Sequence, residues 1–300
     1  EQARYADLDA RPLQSFTNVD VADYLALRQR YLAARGETPN PADEVAFFAV
    51  KAVGQTFRLN ALRFDYAESD CVVFVERCLA MGLSTEWASY RKLAERLRYK
   101  DGVVQYRNRN FSTLGDWLPN NAWLLEDITP SLPGAEKFTH TIRPKLFRDV
   151  PIPNSKYVRT VFLGHDWKSK DVQEREEAYI PRKALVDALP LLRSGDVMLV
   201  IYGVDRRPGC DHMGVVARDE EHGVTLVHAA PPHVRRQLLT QFVDAFPRID
   251  GFKVLRLRGD AGASVSRAVA AMAAEVPDAV RQDEDVARTR ANRAKSASPE

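Results

Sequence analysis

One cysteine stands at a position suited to nucleophilic chemistry. Cys71 follows Asp70 and opens an apolar stretch, residues 72–81, whose composition predicts a helix. A thiol at the first turn of a helix faces unpaired backbone N–H groups and the positive end of the macrodipole, and both favour the thiolate. The sequence therefore predicts a nucleophilic cysteine at the start of this helix.

Two histidines further along the chain could serve as a base and its orienting partner. His212 and His228 lie in two short apolar stretches separated by the polar run 218–222, a pattern that predicts a β-hairpin. A turn centred near Glu220 would put residue 212 opposite residue 228, with both imidazoles on one face of the strand pair. Cys71 and the two histidines would then form a nucleophilic triad, provided that no one-residue slip sends one ring to the opposite face.

Each of these three residues also has an ordinary structural interpretation. Free cysteines are often inert core residues, and a lone histidine is often a core residue with satisfied hydrogen bonds. The three side chains are also legitimate zinc ligands, but the sequence has no Cys-X-X-Cys pair and no obvious fourth ligand. We therefore expect no metal and no cofactor.

The order and spacing of several short blocks carry a resemblance to a known family. They are Asp-Cys-Val-Val-Phe-Val-Glu at 70–76, Leu-Arg-Tyr-Lys-Asp-Gly at 97–102, Asp-Trp-Leu-Pro-Asn-Asn at 116–121, Ser-Gly-Asp at 194–196, His-Met-Gly-Val-Val at 212–216 and Leu-Val-His-Ala at 226–229. Through these blocks, residues 64–258 resemble the N-acetylmuramoyl-L-alanine amidase-like branch of the NlpC-type cell-wall hydrolases. That group consists of papain-like cysteine enzymes with a Cys-His-His type triad. The chain departs from the pattern at 230–231, where Ala-Pro stands in place of a usual serine.

The resemblance implies both a fold and a reaction. The fold would be α+β and papain-like, with the nucleophile helix packed on an antiparallel sheet or partial barrel. The bond cut would be the peptidoglycan amide between N-acetylmuramic acid and L-alanine. We expect acyl transfer to Cys71, with His212 holding the thiolate as an ion pair and His228 orienting His212. The residues alone support only amide or ester acyl chemistry.

Three other functions fit the same residues. An endopeptidase that cuts the stem peptide between L-Ala and D-Glu, or between D-Glu and the diamino acid, would use the same triad. An acyltransferase that forms a thioester would need a dry acceptor site. A catalytically dead wall-binding module would have no need of the thiol, so the intact Cys-His-His set argues against it.

Five further residues are candidates for substrate binding. Asp70 can cap the nucleophile helix and could also shape the pocket. Tyr66 stands where related cell-wall hydrolases often place a tyrosine that lines the substrate cleft. Aromatic faces combined with amide groups suit carbohydrate, so we expect Trp117, Asn120 and Asn121 to contact N-acetylmuramic acid.

Composition divides the chain into three regions. Residues 1–40 are predicted to form an N-terminal helical extension, and residues 41–258 the hydrolase domain that the resemblance implies. Within the domain, the segment 98–158 is rich in Asn, Pro, Gly and aromatic residues, which predicts an irregular, substrate-facing insertion. The tail 259–300 has no aromatic residue and is expected to be flexible or weakly helical. Helices followed by a run of strands indicate the α+β class.

Charge and hydropathy exclude other classes of protein. The formal net charge of +2 gives no sign of the clustered basic surface that nucleic-acid-binding proteins carry. No apolar run approaches the roughly 18 residues that a transmembrane segment needs. The partner that the resemblance implies is peptidoglycan or a muropeptide fragment.

Two remaining expectations concern the cellular location of the protein and the pairing of its cysteines. The chain begins at Glu1 without a methionine, which is compatible with a removed signal peptide, and a peptidoglycan substrate implies a periplasmic or cell-surface location. Cys71 and Cys78 lie too far apart along one helix for a disulfide. Cys210 could approach Cys71, so a reversible regulatory disulfide between them is an open prediction.

Overall fold

The computed structural model describes residues 1–153 and 158–272 and has a mixed α+β architecture, which confirms the expected class. The described helices are α1 (Gln2–Ala10), α2 (Asn18–Ala34), α3 (Pro41–Lys51), α4 (Cys71–Gly82), α5 (Trp87–Arg98), α6 (Leu118–Asn120), α7 (Leu185–Ala188), α8 (Leu239–Ala245) and α9 (Ala261–Ala271). The described strands are β1 (Thr56–Phe57), β2 (Glu68–Ser69), β3 (Leu125–Asp127), β4 (Glu136–Ile142), β5 (Lys145–Pro151), β6 (Val158–His165), β7 (Gln173–Pro181), β8 (Val197–Tyr202), β9 (Gly209–Asp219), β10 (Gly223–Ala230), β11 (His233–Leu238) and β12 (Gly251–Leu257). Within these ranges, no helix combines the length and the apolar character that crossing a bilayer requires.

Ten of the described strands form one large sheet. Its order is β2-β1-β11-β10-β9-β8-β12-β7-β4, with β3 paired to β12. The pairings are antiparallel except the one between β1 and β2. β5 and β6 form a separate two-stranded sheet. The hairpin predicted around the two histidines is β9 and β10, and it lies at the centre of the large sheet.

Helix α4 begins where the sequence predicts. Asp70 has an extended backbone, and its Oδ1 accepts a hydrogen bond of 2.8 Å from the backbone N–H of Val73. This N-cap satisfies one of the N–H groups that have no partner inside the first turn. Asp70 therefore caps the helix, as expected, and Cys71 becomes its first residue.

The central hairpin is buried on both faces. Val215 and Val227 pack in one core cluster with the apolar side of α4. Alternate residues, Val216 and Leu226, pack in a second cluster with Phe242 of α8. This alternation is the two-residue period of a strand. Helices α4 and α8 therefore hold β9 and β10 from opposite sides.

Residues 1–40 share a core with the residues that follow them. Tyr24 of α2 is 1% exposed, and its ring meets that of Phe48 of α3 edge-on at a centroid distance of 6.1 Å. Helix α2 starts in a capping box between Thr17 and Asp20, which fixes its entry. Residue 40 thus marks a loop before α3, while the apolar core continues across it.

The segment 98–158 is more regular than its composition predicts. It contains β3, β4 and β5; β4 pairs along its full length with β7, and β5 pairs with β6. Composition conceals these strands because the partners are distant in the chain, as Phe138 and Glu177 are, and because β7 begins with a charged run. The expected irregular insertion instead supplies strands to both sheets.

The tail is described only as far as residue 272. Helix α9 occupies its first part, and Val265 packs into the core cluster that contains α4. The expectation of a flexible or weakly helical end beyond residue 272 lies outside the described residues.

The shared core predicts that the N-terminal helices unfold together with the rest of the protein. Tyr24→Ala should lower the free energy of unfolding by about 3–5 kcal/mol, because it removes a buried aromatic ring and leaves a cavity. Denaturant titration followed by circular dichroism measures this loss, and it should appear in a single transition.

Val19 is the matched control for Tyr24, since it lies on the same helix and is 67% exposed. Val19→Ala should change the free energy of unfolding by less than about 0.5 kcal/mol. Two separate transitions, with Tyr24→Ala affecting only the first, would contradict a shared core.

Candidate active site

Cys71 lies against strand β9, beside the residues that flank His212. Its sulfur is 3.6 Å from the carbonyl oxygen of Asp211. The backbone N–H groups of Met213 and Val72 are close enough to the sulfur to lower the pKa of the thiol. The packing of α4 on the central hairpin thus brings Cys71 to the strand that carries His212, and both residues line one cleft.

The two histidines form a hydrogen-bonded pair. His212 Nε2 and His228 Nδ1 are 2.9 Å apart, and the two rings are nearly perpendicular. His228 is fully buried, whereas His212 is half-buried and lines a cleft that Cys71 also lines. Because Nε2 of His212 is hydrogen-bonded to His228, Nδ1 is the ring nitrogen of His212 that remains to exchange a proton in the cleft.

The hairpin register differs by two residues from the expected one. His228 pairs with Gly214, and residue 212 lies diagonally across from it. The connection is centred on Glu221 because Gly223, in a left-handed conformation with φ +68°, pairs with Asp219. A shift of two residues keeps the parity of the strand, so both imidazoles lie on one face, as expected.

Two residues that the sequence analysis missed hold the imidazole pair in place. A Cβ atom at Gly214 would lie 2.7 Å from the carbonyl oxygen of Val227 and 3.0 Å from the Cβ of His228, so the close approach requires glycine. Phe242 of α8 stacks on His212 at a centroid distance of 6.0 Å and meets His228 edge-on at 4.9 Å. The His-X-Gly string was visible in the sequence, but the seven-residue helix that carries Phe242 has no distinctive pattern.

The surroundings of Cys71 favour a protonated thiol. Burial, reinforced by the carboxylate of Asp70, raises the pKa of Cys71 to about 12. Asp211 acts in the same direction, while the N–H groups of Met213 and Val72 lower the pKa. The thiolate expected from the first-turn position alone is therefore not the resting form, because lost hydration and two carboxylates outweigh the helix end.

The surroundings of the histidines favour neutral rings. Burial lowers the pKa of His212 to about 4 and that of His228 to about 3. Asp211 partly offsets the shift at His212, and Arg235 adds to the shift at both rings. At neutral pH the resting site consequently holds an uncharged thiol and an uncharged imidazole in one cleft, in place of the expected ion pair. A neutral His212 can accept a proton.

The cleft beside these residues is large enough for an extended ligand. It has a volume of about 1060 Å³ and is lined by Cys71, His212 and parts of the segment 98–158, among them Phe111 and Lys145. This volume lies at the upper end of the range for small-molecule sites. A cleft of this size accommodates several sugar or amino-acid units at once.

Of the five residues predicted to bind substrate, Asp70 lines this cleft and Tyr66 does not. Tyr66 is 2% exposed, and its hydroxyl lies 3.3 Å from that of Tyr90 in the core. Burial raises the pKa of Tyr66 far above its usual range. The structure thus gives Tyr66 a packing role behind the nucleophile helix.

The other three predicted residues bond to groups inside the protein. Trp117 is 1% exposed, and its Nε1 donates to Oε1 of Glu76 at 3.1 Å. Asn121 is fully buried and donates to two backbone carbonyls. Asn120 is half-buried and donates to Asn110, which lines the cleft. These side chains support a wall of the cleft from inside the protein. In the sequence, the aromatic-and-amide pattern does not distinguish this supporting role from carbohydrate binding.

The described residues offer no metal centre and no disulfide at the site. In residues 1–153 and 158–272, no three His, Cys, Asp or Glu side chains are grouped so that they could hold a metal ion. The three cysteines are free. Cys210 lines the same cleft as Cys71, and its sulfur is 3.3 Å from the carbonyl oxygen of His212. A regulatory disulfide between Cys71 and Cys210 stays a prediction.

Sequence comparison identifies a related family. A family model described as AmiA-like, N-acetylmuramoyl-L-alanine amidase-like, matches residues 47–245. That range includes Cys71, His212 and His228. A search of curated proteins finds no match.

Several solved structures share the fold. A Legionella pneumophila protein of the DUF1460 family superposes with a TM-score of 0.63 at 18% identity, covering 81% of this chain and 96% of its own. An N-acetylmuramoyl-L-alanine amidase from Bacteroides uniformis gives a TM-score of 0.56 at 18% identity, covering 73% of this chain and 99% of its own. A putative xylanase from Bacteroides fragilis gives 0.53 at 20% identity, covering 70% and 99%. At these identities the likeness concerns the fold alone.

The uncharged resting site predicts the pH dependence of Cys71 alkylation. The thiolate is the reactive form, and below a pKa of about 12 its fraction rises about tenfold with each pH unit. The rate of iodoacetamide labelling at Cys71 should therefore rise about tenfold per unit from about pH 6 to about pH 9. Peptide mapping by mass spectrometry separates Cys71 from Cys78 and Cys210.

His212→Ala is the control for this measurement. A resting thiolate–imidazolium pair would give a rate that is nearly constant between about pH 6 and about pH 8, because its thiolate fraction does not change there. A plateau in the wild-type protein that disappears in His212→Ala would contradict the uncharged site.

Proposed function

The chain belongs to the AmiA-like family of N-acetylmuramoyl-L-alanine amidase-like proteins, and on that premise we propose that it is a peptidoglycan hydrolase with Cys71 as its nucleophile. The bond cut is the amide between the lactyl group of N-acetylmuramic acid and the L-alanine of the stem peptide. The proposal includes the NlpC-type, papain-like assignment of the fold and a Cys-His-His triad formed with His212 and His228.

One observation carries the proposal. His212 lines the same cleft as Cys71, and its Nε2 is held at 2.9 Å by the buried ring of His228. A base that is oriented by a third group beside a nucleophile is the arrangement that acyl transfer to a thiol requires. A wall-binding module would not need it.

The first half of the reaction forms a thioester. The sulfur of Cys71 attacks the lactyl carbonyl carbon while Nδ1 of His212 accepts the thiol proton, so that charge appears only as the C–S bond forms. His212 then gives this proton to the nitrogen of L-alanine as the C–N bond breaks. His228 accepts the Nε2–H of His212 and stabilises its charged form.

Backbone groups at the start of α4 are the natural partners of the oxyanion. The side chain of Asp70 accepts a hydrogen bond from the N–H of Val73, and the backbone carbonyl of Asp70 accepts one from the N–H of Phe74. The N–H group of Cys71 precedes these at the helix end, where it can donate to a developing negative charge.

The second half of the reaction hydrolyses the thioester. His212 removes a proton from water as the oxygen attacks the same carbonyl carbon, and the departing sulfur of Cys71 takes the proton back. The products are a free muramic acid carboxylate and a stem peptide that begins with L-alanine. Because peptidoglycan lies outside the cytoplasmic membrane, the proposal puts the enzyme in the periplasm or at the cell surface.

Soluble muropeptides test the proposal. The wild-type protein should release an intact stem peptide that begins with L-alanine, and Cys71→Ala should release none. His228→Ala should lower kcat by about 100-fold, because general acid–base catalysis contributes about 10² to 10⁴ and needs an oriented ring. Mass spectrometry identifies the products, and initial rates give kcat.

His222 offers a matched control on the same hairpin. Its side chain is 47% exposed in the turn, so His222→Ala should leave the rate unchanged. Cleavage inside the stem peptide would replace the amidase assignment by an endopeptidase. Absence of cleavage by the reduced wild-type protein would contradict the hydrolase assignment and favour an acyltransferase or a binding module.

A further inference from the structure

The cleft carries basic side chains that the proposed chemistry does not use. Arg143, Arg206 and Arg207 line it together with Trp167. The indole of Trp167 is 54% exposed, and the guanidinium carbons of Arg207 and Arg143 lie 3.5 Å and 4.9 Å from its ring centroid. These four residues are called the Trp167 cluster below.

The arginines of the Trp167 cluster form no salt bridge within the described part of the chain, although Asp171 also lines the cleft. Two other basic residues of the cleft have carboxylate partners, since Lys145 pairs with Asp116 at 3.3 Å and Arg98 pairs with Glu76 at 2.9 Å. No ion pair joins the three arginines of the cluster to a described carboxylate.

One side-chain atom of Arg143 also lacks a hydrogen-bond partner. Its Nε is shielded from solvent and has no hydrogen-bond acceptor among the described residues. Buried polar atoms in folded proteins almost always have a partner, so an unpaired one in a cleft wall is open to a ligand or to water.

The position of the cluster limits which part of a substrate it can reach. Arg207 precedes Asp211 by four residues, so their Cα atoms are at most about 14 Å apart. Asp211 contacts the sulfur of Cys71 through its carbonyl oxygen. An extended peptide spans this distance with about four residues. The cluster is therefore within reach of a substrate chain that extends a few residues from the bond that is cut.

On the basis of the proposed function, we infer that the Trp167 cluster is a subsite for the carboxylates of the stem peptide. The two sides of the scissile amide differ in charge, because the sugar is neutral whereas D-Glu and the diamino acid carry free carboxylates. Guanidinium groups bind carboxylates through paired, charge-assisted hydrogen bonds. The exposed indole face offers an apolar surface for the carbon chain of the same residues.

This subsite also sets the direction of the substrate. Asp70 directly precedes Cys71 and Asp211 contacts its sulfur, whereas the three arginines line the cleft with Trp167, so the two parts of the cleft differ in charge. An anionic stem peptide is attracted to one end only, and the glycan extends toward the other. The cluster thus selects for unmodified, acidic stems.

Two muropeptides that differ only in their stem carboxylates test the subsite. One carries free acids and the other carries carboxamides at the same positions. The wild-type kcat/KM should be about tenfold or more higher for the acid, mainly through KM, because each charge-assisted pair is lost in the amide. In Arg143→Gln and Arg207→Gln the ratio of the two substrates should fall toward one.

Arg248→Gln is the matched control, since Arg248 is exposed and lies outside the cleft lining. It should keep the wild-type ratio. Equal wild-type kcat/KM for the two muropeptides would overturn the subsite and leave the proposed function standing. This comparison uses the native protein, so a variant that fails to fold cannot obscure it.

A binding measurement separates failure of the subsite from failure of the proposed function. If the wild-type protein cleaves neither muropeptide, the proposed function fails. The free acidic tripeptide of the stem is then titrated into Cys71→Ala while tryptophan emission is recorded. A saturable change that is lost in Trp167→Phe supports the subsite, and an unchanged emission overturns it.

Discussion

The hydrogen bond between His212 Nε2 and His228 Nδ1 is the interaction on which the site depends. It leaves Nδ1 of His212 as the ring nitrogen that can accept a proton, provided that Nε2 carries the other one. The bond requires that β9 and β10 pair in one register and that residue 214 has no side chain, because a Cβ there would lie 2.7 Å from the carbonyl oxygen of Val227. The large sheet and the helices on its two faces hold that register, since a slip of one residue would separate the rings.

Burial gives the imidazole pair its orientation and also decides its charge. His228 is fully buried and lies against Phe242, so a positive charge on either ring is costly. The proton therefore rests on the thiol of Cys71, and in the proposed reaction charge separates only while a substrate is being attacked. The same surroundings strengthen each hydrogen bond that stabilises the charge once it forms. This differs from an enzyme that keeps a thiolate ready.

Features fixed by neighbouring residues could be predicted from the sequence, and features fixed by distant ones could not. The start of α4 follows from Asp70 and the apolar run after it, and the shared face of the two histidines follows from strand parity. The hairpin register depends on a glycine in a left-handed turn, which the apolar pattern does not encode. Trp117 and Glu76 meet across 41 residues, so burial of the indole was invisible. The pKa of Cys71 likewise depends on burial, which a first-turn position does not reveal.

Trapping the covalent intermediate tests the central claim most directly. An activated ester of N-acetylmuramic acid makes acylation faster than hydrolysis, so the acyl-enzyme should accumulate. After acid quenching and digestion, mass spectrometry should find one muramoyl group on the peptide that contains Cys71. Hydrolysis of the ester with Cys71 unlabelled, or a muramoyl group on another residue, would contradict the account.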